Sequence, residues 1–411
     1  MPKRLTGTPS LSPPHSLAWK MGLATACRLV LNTARRFAYP FAPVLSRGLG
    51  VPLTAITSLI AVNQATSIIG MFFGPVADIL GYRLMMLAGL GMLATGMFAG
   101  GFLPFYGVIL VSFFLAGLGK SVFDPAIQAY VSERVPYNRR GLAIGFLEFS
   151  WAGSTLVGIP LLGFLIDRLG WRSPFFTLGG LALLGIVALR VLFPDDGKET
   201  GTRNVSLGFW KNWQRLGKER AALGAISFSF FVSVANDNLF VVYGAWLEEA
   251  FGLNIVALGL WTSAIGMAEL SGESLTAVLA DRFGLKRSVI LGLSLCSMSY
   301  WLLPILGQGL APAFGGLFLI FLTFEFTIVS FLSICTELLP GSRATMMSGF
   351  LAAAGLGRIV GALIGGPVWL AGGILATGLV SGTISGLALV SLVWGLKDGD
   401  GGKKKANNHF F

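Results

Sequence analysis

Long apolar runs separated by short polar segments constrain this chain more than any other feature. A hydrocarbon core about 30 Å thick requires roughly 20 apolar residues in each spanning helix. Twelve runs suit that length, and the first is the weakest because Arg28, Arg35 and Arg36 interrupt it. The pattern predicts an all-α integral membrane protein with twelve transmembrane helices, in the segments 21–46, 51–76, 84–104, 106–130, 141–166, 173–193, 221–246, 255–280, 288–307, 311–335, 345–369 and 373–395.

The composition supports a membrane protein and argues against nucleic-acid binding. Of the 411 residues, 54% are apolar and 12% are charged. A soluble domain carries roughly twice that share of charged residues. The net charge of +11 does not indicate a nucleic-acid partner, because the basic residues fall in short clusters between apolar runs and form no basic face.

The residue types that build metal sites and catalytic centres are few and scattered. Cys27, Cys296 and Cys335 lie far apart, and His15 and His409 both lie in the tails. The runs contain no zinc-ligand spacing and no Ser- or Cys-centred constellation, and no Gly-x4-Gly-Lys-Ser/Thr loop for a nucleotide is present. The sequence therefore predicts no metal, no cofactor and no catalytic residue, which disfavours a membrane-embedded enzyme and an ATP-driven pump.

Positive charge is distributed unevenly between the two sets of loops. With the N-terminus in the cytoplasm, twenty-one Lys and Arg residues outside the runs are cytoplasmic, and only Arg47, Arg168 and Arg172 are on the other side. Cytoplasmic loops are enriched in Lys and Arg, so both termini are predicted to be cytoplasmic, in a multi-pass protein of the plasma (inner) membrane. The expected order is an N-terminal tail without a signal peptide, a six-helix half, a linker, a second six-helix half and a C-terminal tail, at 1–20, 21–193, 194–220, 221–396 and 397–411.

The two halves repeat each other in sequence. The segment 133–139, Glu-Arg-Val-Pro-Tyr-Asn-Arg, returns 204 positions later as Glu-Leu-Leu-Pro-Gly-Ser-Arg at 337–343. A second match, Ala-Asp followed by Gly, occurs at 77–81 and again at 280–284, 203 positions later. Two matches at nearly one offset predict an internal duplication.

The loops after the second and eighth runs carry a resemblance to a known family. Gly-Pro-Val-Ala-Asp-Ile-Leu-Gly-Tyr-Arg at 74–83 and Ala-Val-Leu-Ala-Asp-Arg-Phe-Gly-Leu-Lys-Arg at 277–287 resemble the signature between helices two and three of the major facilitator superfamily. The first copy departs from that signature at Ile79, where a basic residue is usual. The resemblance implies a cytoplasmic latch between the halves, formed by Gly74, Asp78, Gly81, Arg83, Asp281, Arg282, Gly284, Lys286 and Arg287. Taken alone, each copy is also compatible with an ordinary turn at a helix end.

The fifth run contains a Gly- and Pro-rich segment, Gly153 to Gly163, that has two interpretations. It resembles a degenerate form of the signature of drug–proton antiporters in the same family. Gly and Pro in membrane helices also serve packing and kinking. The fourth helix has Phe113 near the place where many of those antiporters carry an arginine, which argues against transferring their proton mechanism unchanged.

Charged residues inside the runs are the candidate functional residues, since each costs about 2.5–3.5 kcal/mol at a helix centre. One face of the first helix contains Asn32, Arg35 and Tyr39. Arg36 lies about 100° away around the helix and has two interpretations: it lines a cavity, or it forms a salt bridge with a neighbouring helix. Lys120 and Asp124 are one turn apart, so an ion pair within the helix competes with a substrate-binding role.

The remaining candidates lie on four other runs. We expect Asn236, Asp237 and Asn238 in the seventh run to bind substrate opposite the first run, and Asp237, Glu325 or Glu148 to carry a coupling proton. Glu269 and Glu273 share one face of the eighth run, and Glu325 with Arg358 also suits a structural pair.

The resemblance implies a secondary transporter that works by alternating access around a cavity lined by helices one, four, seven and ten. Arginines in that cavity suggest an anionic group on the substrate, and abundant Phe and Trp suit an amphiphilic body. The expected partners of a monomer are a small organic or amphiphilic solute, protons and the bilayer, with proton-coupled efflux favoured by the resemblance. The alternatives are a lipid or lysolipid flippase or exporter on the same fold and a non-transporting sensor.

Overall fold

The computed structural model describes residues 14–70, 73–135, 140–193, 216–338 and 343–396. All secondary structure in these ranges is helical, so the predicted all-α class is confirmed. We number the helices α1 to α15, with a π-helical turn at Ser154–Gly158 between α7 and α8. Their bounds are α1 Pro14–Arg36, α2 Ala42–Leu49, α3 Leu53–Gly70, α4 Phe73–Leu80, α5 Tyr82–Phe102, α6 Tyr106–Arg134, α7 Arg140–Gly153, α8 Ile159–Leu169, α9 Ser173–Leu192, α10 Arg220–Phe240, α11 Tyr243–Phe251, α12 Ile255–Phe283, α13 Leu285–Leu306, α14 Leu310–Leu338 and α15 Arg343–Gly395.

Ten helical segments in the described ranges are long and apolar enough to cross a membrane. One of them, Met346–Gly395, has 50 residues. A helix of that length would extend about 75 Å, more than twice the hydrocarbon thickness. Its backbone leaves helical geometry at Gly372 and Gly373, at the junction of the predicted spans 345–369 and 373–395, so this segment is long enough for both. The charged α1 is the remaining predicted span, and its membrane crossing stays a prediction.

The first and seventh runs are interrupted, so the prediction of one continuous helix for each is wrong. The first run forms α1 and then α2, with turns at 37–41 around Pro40. The seventh forms α10 and then α11, with turns at Val241 and Val242. Proline has no backbone N–H and clashes with the preceding turn, which explains the first interruption.

Glycines with positive φ confirm the duplication from backbone geometry. Three pairs occur in the described residues: Gly50 and Gly252, Gly81 and Gly284, and Gly170 and Gly373. Their spacings are 202, 203 and 203 residues. Residues other than glycine rarely adopt a positive φ, so each pair marks one sharp turn that occurs in both halves.

The chain divides into two compact units. Unit 1 contains Met1–Asn204 and Val241–Met267, and unit 2 contains Val205–Phe240 and Ala268–Phe411. In unit 1, Phe37 packs against Phe113 and Phe175, with ring centroids 5.5 and 5.7 Å apart. Phe113 is completely buried there, so the position near the expected antiporter arginine belongs to an aromatic core.

Helix packing within each unit depends on close backbone approach. In unit 1, a Cβ on Gly89 of α5 would meet the Gly119 carbonyl oxygen of α6 at 2.5 Å. In unit 2, a Cβ on Gly361 of α15 would meet the Val234 carbonyl oxygen of α10 at 2.7 Å. Glycine at a helix contact lets the two backbones approach closely, and the close approach increases van der Waals packing between membrane helices.

Candidate functional site

Arg28 is the centre of a cluster of ion pairs inside unit 1. Its Nε lies 3.1 Å from Asp124 Oδ1 of α6, and its Nη1 lies 2.9 Å from Glu148 Oε1 of α7. Nη1 also donates to the Leu147 carbonyl oxygen at 3.0 Å. The Arg28 side chain is only 6% exposed. A buried guanidinium requires such partners, because an uncompensated charge in a membrane protein is costly.

Asp124 connects this arginine to a lysine on its own helix. Lys120 Nζ lies 2.5 Å from Asp124 Oδ2, which confirms the ion pair predicted from the four-residue spacing. Asp124 therefore contacts two cations, one in the same helix and one from α1. We call Arg28, Lys120, Asp124 and Glu148 the charge cluster; it joins α1, α6 and α7.

Arg35 and Tyr39 form a second polar network, which joins α1 to α3. Arg35 Nη2 donates to Gln64 Oε1 and, at 2.6 Å, to Ser67 Oγ. Gln64 Nε2 donates to the Tyr39 hydroxyl at 2.6 Å. Arg35 and Tyr39 thus contact the same glutamine, as expected for residues that share a helix face.

Asn32 and Arg36 instead contact α7. Asn32 is fully buried and its Nδ2 donates to Ser150 Oγ at 3.1 Å. The Arg36 guanidinium lies over the Trp151 ring, 4.3 Å from its centroid. Lys120 Nζ is 5.9 Å from the same centroid. Two cations therefore lie within 6 Å of the centre of the Trp151 ring, and the electron-rich face of the ring attracts them.

Two residues that make central contacts in this region are absent from the sequence predictions. Arg28 is treated there only as an interruption of the first run, and Trp151 is not assigned a role. The signal for Arg28 is its spacing, since it lies four residues before Asn32 and seven before Arg35, on one helix face. No comparable signal identifies Trp151, because its role depends on contacts from α1 and α6.

The fifth run combines the cluster with close helix contacts. A Cβ on Gly158 would collide with Thr33 of α1, and one on Gly163 would lie 3.4 Å from the Gly259 Cα of α12. The π-helical turn at Ser154–Gly158 ends at the first of these contacts and begins three residues after Trp151. π-helical turns are rare and often occur at functional sites, which gives this Gly- and Pro-rich segment both a packing role and a place beside the cluster.

The predicted site residues of unit 2 lie on α10 and α14. Asp237 is 2% exposed, and a Cβ on Gly361 would lie 2.9 Å from its Cβ. Asn238 is fully buried, and its Nδ2 donates to Ser381 Oγ at 2.9 Å and to the Thr377 carbonyl oxygen at 3.3 Å. Asn236 is buried on the same helix, and Glu325 is half-buried on α14. Asn238 thus joins α10 to α15, and a substrate contact by these residues stays a prediction.

The two loop motifs have the same backbone geometry. Gly81 and Gly284 precede α5 and α13, with φ of 90° and 82°. Arg83 donates to the Arg190 carbonyl oxygen at 2.9 Å, and Lys286 donates to the Leu396 carbonyl oxygen at 2.7 Å. Arg282 and Arg287 are exposed. Gly74 lies in α4, and the side chains of Asp78 and Asp281 are outside the described part of the structure, so the predicted latch stays a prediction.

Metal ligands do not cluster in the described part of the chain, where no group of three His, Cys, Asp or Glu residues could hold an ion. Cys27, Cys296 and Cys335 are each buried as free thiols.

Comparisons with known proteins agree on one family. The model of the Major Facilitator Superfamily matches twice, over residues 24–235 and 225–409. An uncharacterized MFS-type transporter, YwfA of Bacillus subtilis (strain 168), is 25% identical over 87% of this chain and 87% of its own. A multi-drug resistance efflux pump PmrA homolog of Lactococcus lactis subsp. lactis (strain IL1403) is 23% identical over 86% of this chain and 88% of its own.

A solved structure shows the same fold. The crystal structure of a POT family transporter in complex with a thioalcohol-conjugated peptide superposes with a TM-score of 0.75 at 15% identity, over 91% of this chain and 96% of that one. With the helical spans and the duplicated turns, these matches establish that the chain is a multi-pass integral membrane transporter belonging to the Major Facilitator Superfamily.

Proposed function

We propose that this protein exports a small organic or amphiphilic solute in exchange for protons, by alternating access. The name of the Lactococcus lactis relative, a multi-drug resistance efflux pump homolog, supports export. The observation that carries proton coupling is the charge cluster, in which one arginine binds two carboxylates inside the membrane-spanning region. The proposal includes a monomer in the plasma (inner) membrane, with both termini in the cytoplasm as the distribution of Lys and Arg predicts.

Glu148 is the carboxylate that we assign to proton exchange. Its side chain is 42% exposed, whereas that of Asp124 is 20% exposed and contacts two cations. A proton that enters the cluster therefore reaches Glu148 more readily. Protonation removes the negative charge that faces Arg28, so the attraction between α1 and α7 weakens while Asp124 still holds Arg28. Asp237 and Glu325 are further candidates for the same role in unit 2.

Trp151, Arg36 and Lys120 are the groups that we assign to the substrate within unit 1. Arg36 and Lys120 both approach the Trp151 ring, at 4.3 and 5.9 Å from its centroid. Cations beside an aromatic ring suit a solute that has an anionic group next to an apolar or aromatic body. Arg35, Tyr39 and Asn32 line the neighbouring part of α1 and are proposed to orient that solute through their polar contacts.

The test is transport by purified protein in liposomes under an imposed pH gradient. The probes are naphthalene-2-sulfonate as an aromatic anion and tetraphenylphosphonium as a lipophilic cation. We expect the wild type to accumulate the anion against its gradient. We expect Glu148→Gln to lose this accumulation yet retain exchange of labelled for unlabelled anion, because substrate binding is intact and only the proton site is removed. The matched control is Glu249→Gln, which alters an exposed carboxylate of α11.

Three outcomes would contradict parts of the proposal. Full uphill accumulation by Glu148→Gln, Asp237→Asn and Glu325→Gln would exclude all three carboxylates from coupling. Transport of the cation alone would exclude the assignment of Arg36 and Lys120 to an anionic group. Movement of labelled lysolipid in place of either probe would favour the lipid exporter that the sequence leaves open.

A further inference from the structure

We propose that Ser150 of α7 is a positioning residue for proton exchange, which keeps Arg28 against α7 while Glu148 carries a proton. This role rests on the proton exchange proposed above for Glu148. Ser150 and Arg28 meet at one backbone atom, the Leu147 carbonyl oxygen. Arg28 Nη1 donates to that oxygen at 3.0 Å, and Ser150 Oγ donates to it at 2.6 Å. Since a carbonyl oxygen has two lone pairs, it accepts from both donors at the same time.

A neutral hydrogen bond connects Ser150 back to α1. Asn32 Nδ2 donates to Ser150 Oγ at 3.1 Å, and Asn32 lies one turn after Arg28 on the same helix. With the two bonds at the Leu147 carbonyl, this bond closes a ring of contacts between one turn of α1 and one turn of α7. Asn32 and Ser150 are 0% and 1% exposed, so water does not compete for the bond between them.

The contacts of Arg28 with α7 differ in their response to protons. In the described contacts, Glu148 faces Arg28 directly, and the other charged groups of the cluster, Asp124 and Lys120 of α6, act on it through that arginine. When Glu148 is protonated, its attraction for Arg28 weakens and Asp124 attracts the arginine toward α6. The backbone carbonyl and the serine hydroxyl of the ring do not titrate, so their contacts with α1 persist. Arg28 therefore stays close enough to pair with Glu148 again when the proton leaves.

The internal repeat shows that this hydroxyl accompanies the ion pairs. Over the spacings of 202 to 204 residues that relate the halves, Ser150 corresponds to Ala352, Ala353 or Ala354. An alanine side chain cannot accept a hydrogen bond from an asparagine. The serine therefore occurs in the half that contains the ion pairs of Arg28, as expected for a residue that positions this arginine.

Close packing of α1 and α7 beside the ring makes the serine suitable for a test. A Cβ on Gly153, three residues after Ser150, would lie 3.0 Å from Cδ1 of Leu29, the residue after Arg28. Ser150→Ala keeps this packing and removes the hydroxyl. We therefore expect the variant to fold and to lose the bonds with Asn32 and with the Leu147 carbonyl.

Transport in liposomes separates a positioning role from a structural one. Accumulation of naphthalene-2-sulfonate under a pH gradient requires proton exchange, whereas exchange of labelled for unlabelled anion does not. We expect Ser150→Ala to lower accumulation about three-fold at unchanged exchange, because a hydrogen bond between membrane helices corresponds to about that factor. Ser150→Thr keeps the hydroxyl and should retain both activities.

Ser297→Ala is the matched control. Ser297 is buried in unit 2, and its Oγ donates to Ser385 Oγ at 2.7 Å, between α13 and α15. This variant also removes one buried serine hydroxyl that joins two helices, so it should leave the ratio of accumulation to exchange unchanged. An equal fall of that ratio in Ser150→Ala and Ser297→Ala, or its loss in Ser150→Thr, would overturn the proposal.

Chemical unfolding in detergent separates a failure of this positioning role from a failure of the proposed function. Glu148→Gln imitates the protonated carboxyl, so the contact of Arg28 with α7 then depends on the ring that Ser150 completes. Ser150→Ala should therefore lower the denaturant midpoint more in combination with Glu148→Gln than alone. A purely additive loss would overturn the positioning role, whatever the transport result. Full accumulation by Glu148→Gln would instead contradict the proposed role of Glu148, and a more than additive loss would still show that Ser150 holds Arg28 on α7.

Discussion

The first helix of each half is joined to its neighbours by a different kind of polar contact. In unit 1, α1 is joined to α6 and α7 through Arg28 and two carboxylates. In unit 2, α10 is joined to α15 through Asn238 and Ser381, a pair of neutral groups. The duplicated turns show that α1 and α10 are equivalent helices of the two halves, and the contacts described above differ between them: ion pairs at Arg28 of α1, and a hydrogen bond between an amide and a hydroxyl at Asn238 of α10.

The sequence locates where the halves diverged. At the spacings of 202 to 204 residues that relate the halves, Arg28 corresponds to Phe230, Phe231 or Val232, all apolar. Over the same spacings Glu148 corresponds to Phe350, Leu351 or Ala352, and Trp151 corresponds to a segment that contains Gly355. The charge cluster therefore arose, or persisted, in one half alone. A contact that depends on ionisation responds to protons, whereas a contact between an amide and a hydroxyl does not.

The largest expected effect comes from removing the centre of the charge cluster. Breaking a buried ion pair by removing one partner costs about 3–5 kcal/mol, and the loss in Arg28→Gln should lie at the lower end of this range, because Asp124 keeps its contact with Lys120 and the Glu148 side chain is 42% exposed. Chemical denaturation in detergent should show this loss in the free energy of unfolding. Arg168→Gln, at an exposed position on α8, is the control and should change stability by less than about 0.5 kcal/mol. A loss of under about 1 kcal/mol in Arg28→Gln would show that the cluster does not hold these helices together.

A smaller effect is expected from the neutral contact of unit 2. Asn238→Leu removes the hydrogen bonds to Ser381 and to the Thr377 carbonyl oxygen. Hydrogen bonds between membrane helices contribute about 0.6 kcal/mol on average and rarely more than about 1.7, so the loss should be near 1 kcal/mol. The same unfolding measurement compares the two units directly. If Asn238→Leu destabilises the protein as much as Arg28→Gln does, the difference between ionic and neutral contacts has no consequence for stability.

Most of the fold follows from local patterns in the sequence. The apolar runs and the repeated Gly positions depend on neighbours within a few residues, and the structure confirms the all-α class, the duplication and the turn at Gly372–Gly373. The break between α1 and α2 is signalled by Pro40 but is absent from the predicted span. The break at Val241 and Val242 has no comparable signal, since both residues suit an apolar helix.

The candidate site follows from the sequence only where its contacts are local. Lys120 and Asp124 are four residues apart, and the structure contains their ion pair. The contacts of Arg28 with α6 and α7 span 96 and 120 residues of chain. Which helix faces meet is decided by packing of the whole unit, for example by the close approach of Gly158 to Thr33. Single-sequence patterns do not contain that information, so they indicate Glu148 as a candidate but do not identify Arg28 as its partner.

The smallest effect is expected where an ion pair lies at the surface of unit 1. Arg47 Nη1 of α2 lies 2.6 Å from Glu248 Oε1 of α11, but the two side chains are 59% and 28% exposed. Exposed pairs contribute about 0.2–1 kcal/mol, because water and salt screen the charges. A double-mutant cycle with Arg47→Gln and Glu248→Gln should therefore give a coupling energy of about 0.5 kcal/mol. In 1 M salt, where the screening length falls to about 3 Å, the coupling should vanish, whereas the destabilisation by Arg28→Gln should persist because the side chains of Arg28 and Asp124 are only 6% and 20% exposed. A coupling energy that remains unchanged in high salt would mean that the Arg47–Glu248 pair is protected from solvent. Burial would then not explain why this pair stabilises the protein less than the Arg28–Asp124 pair does.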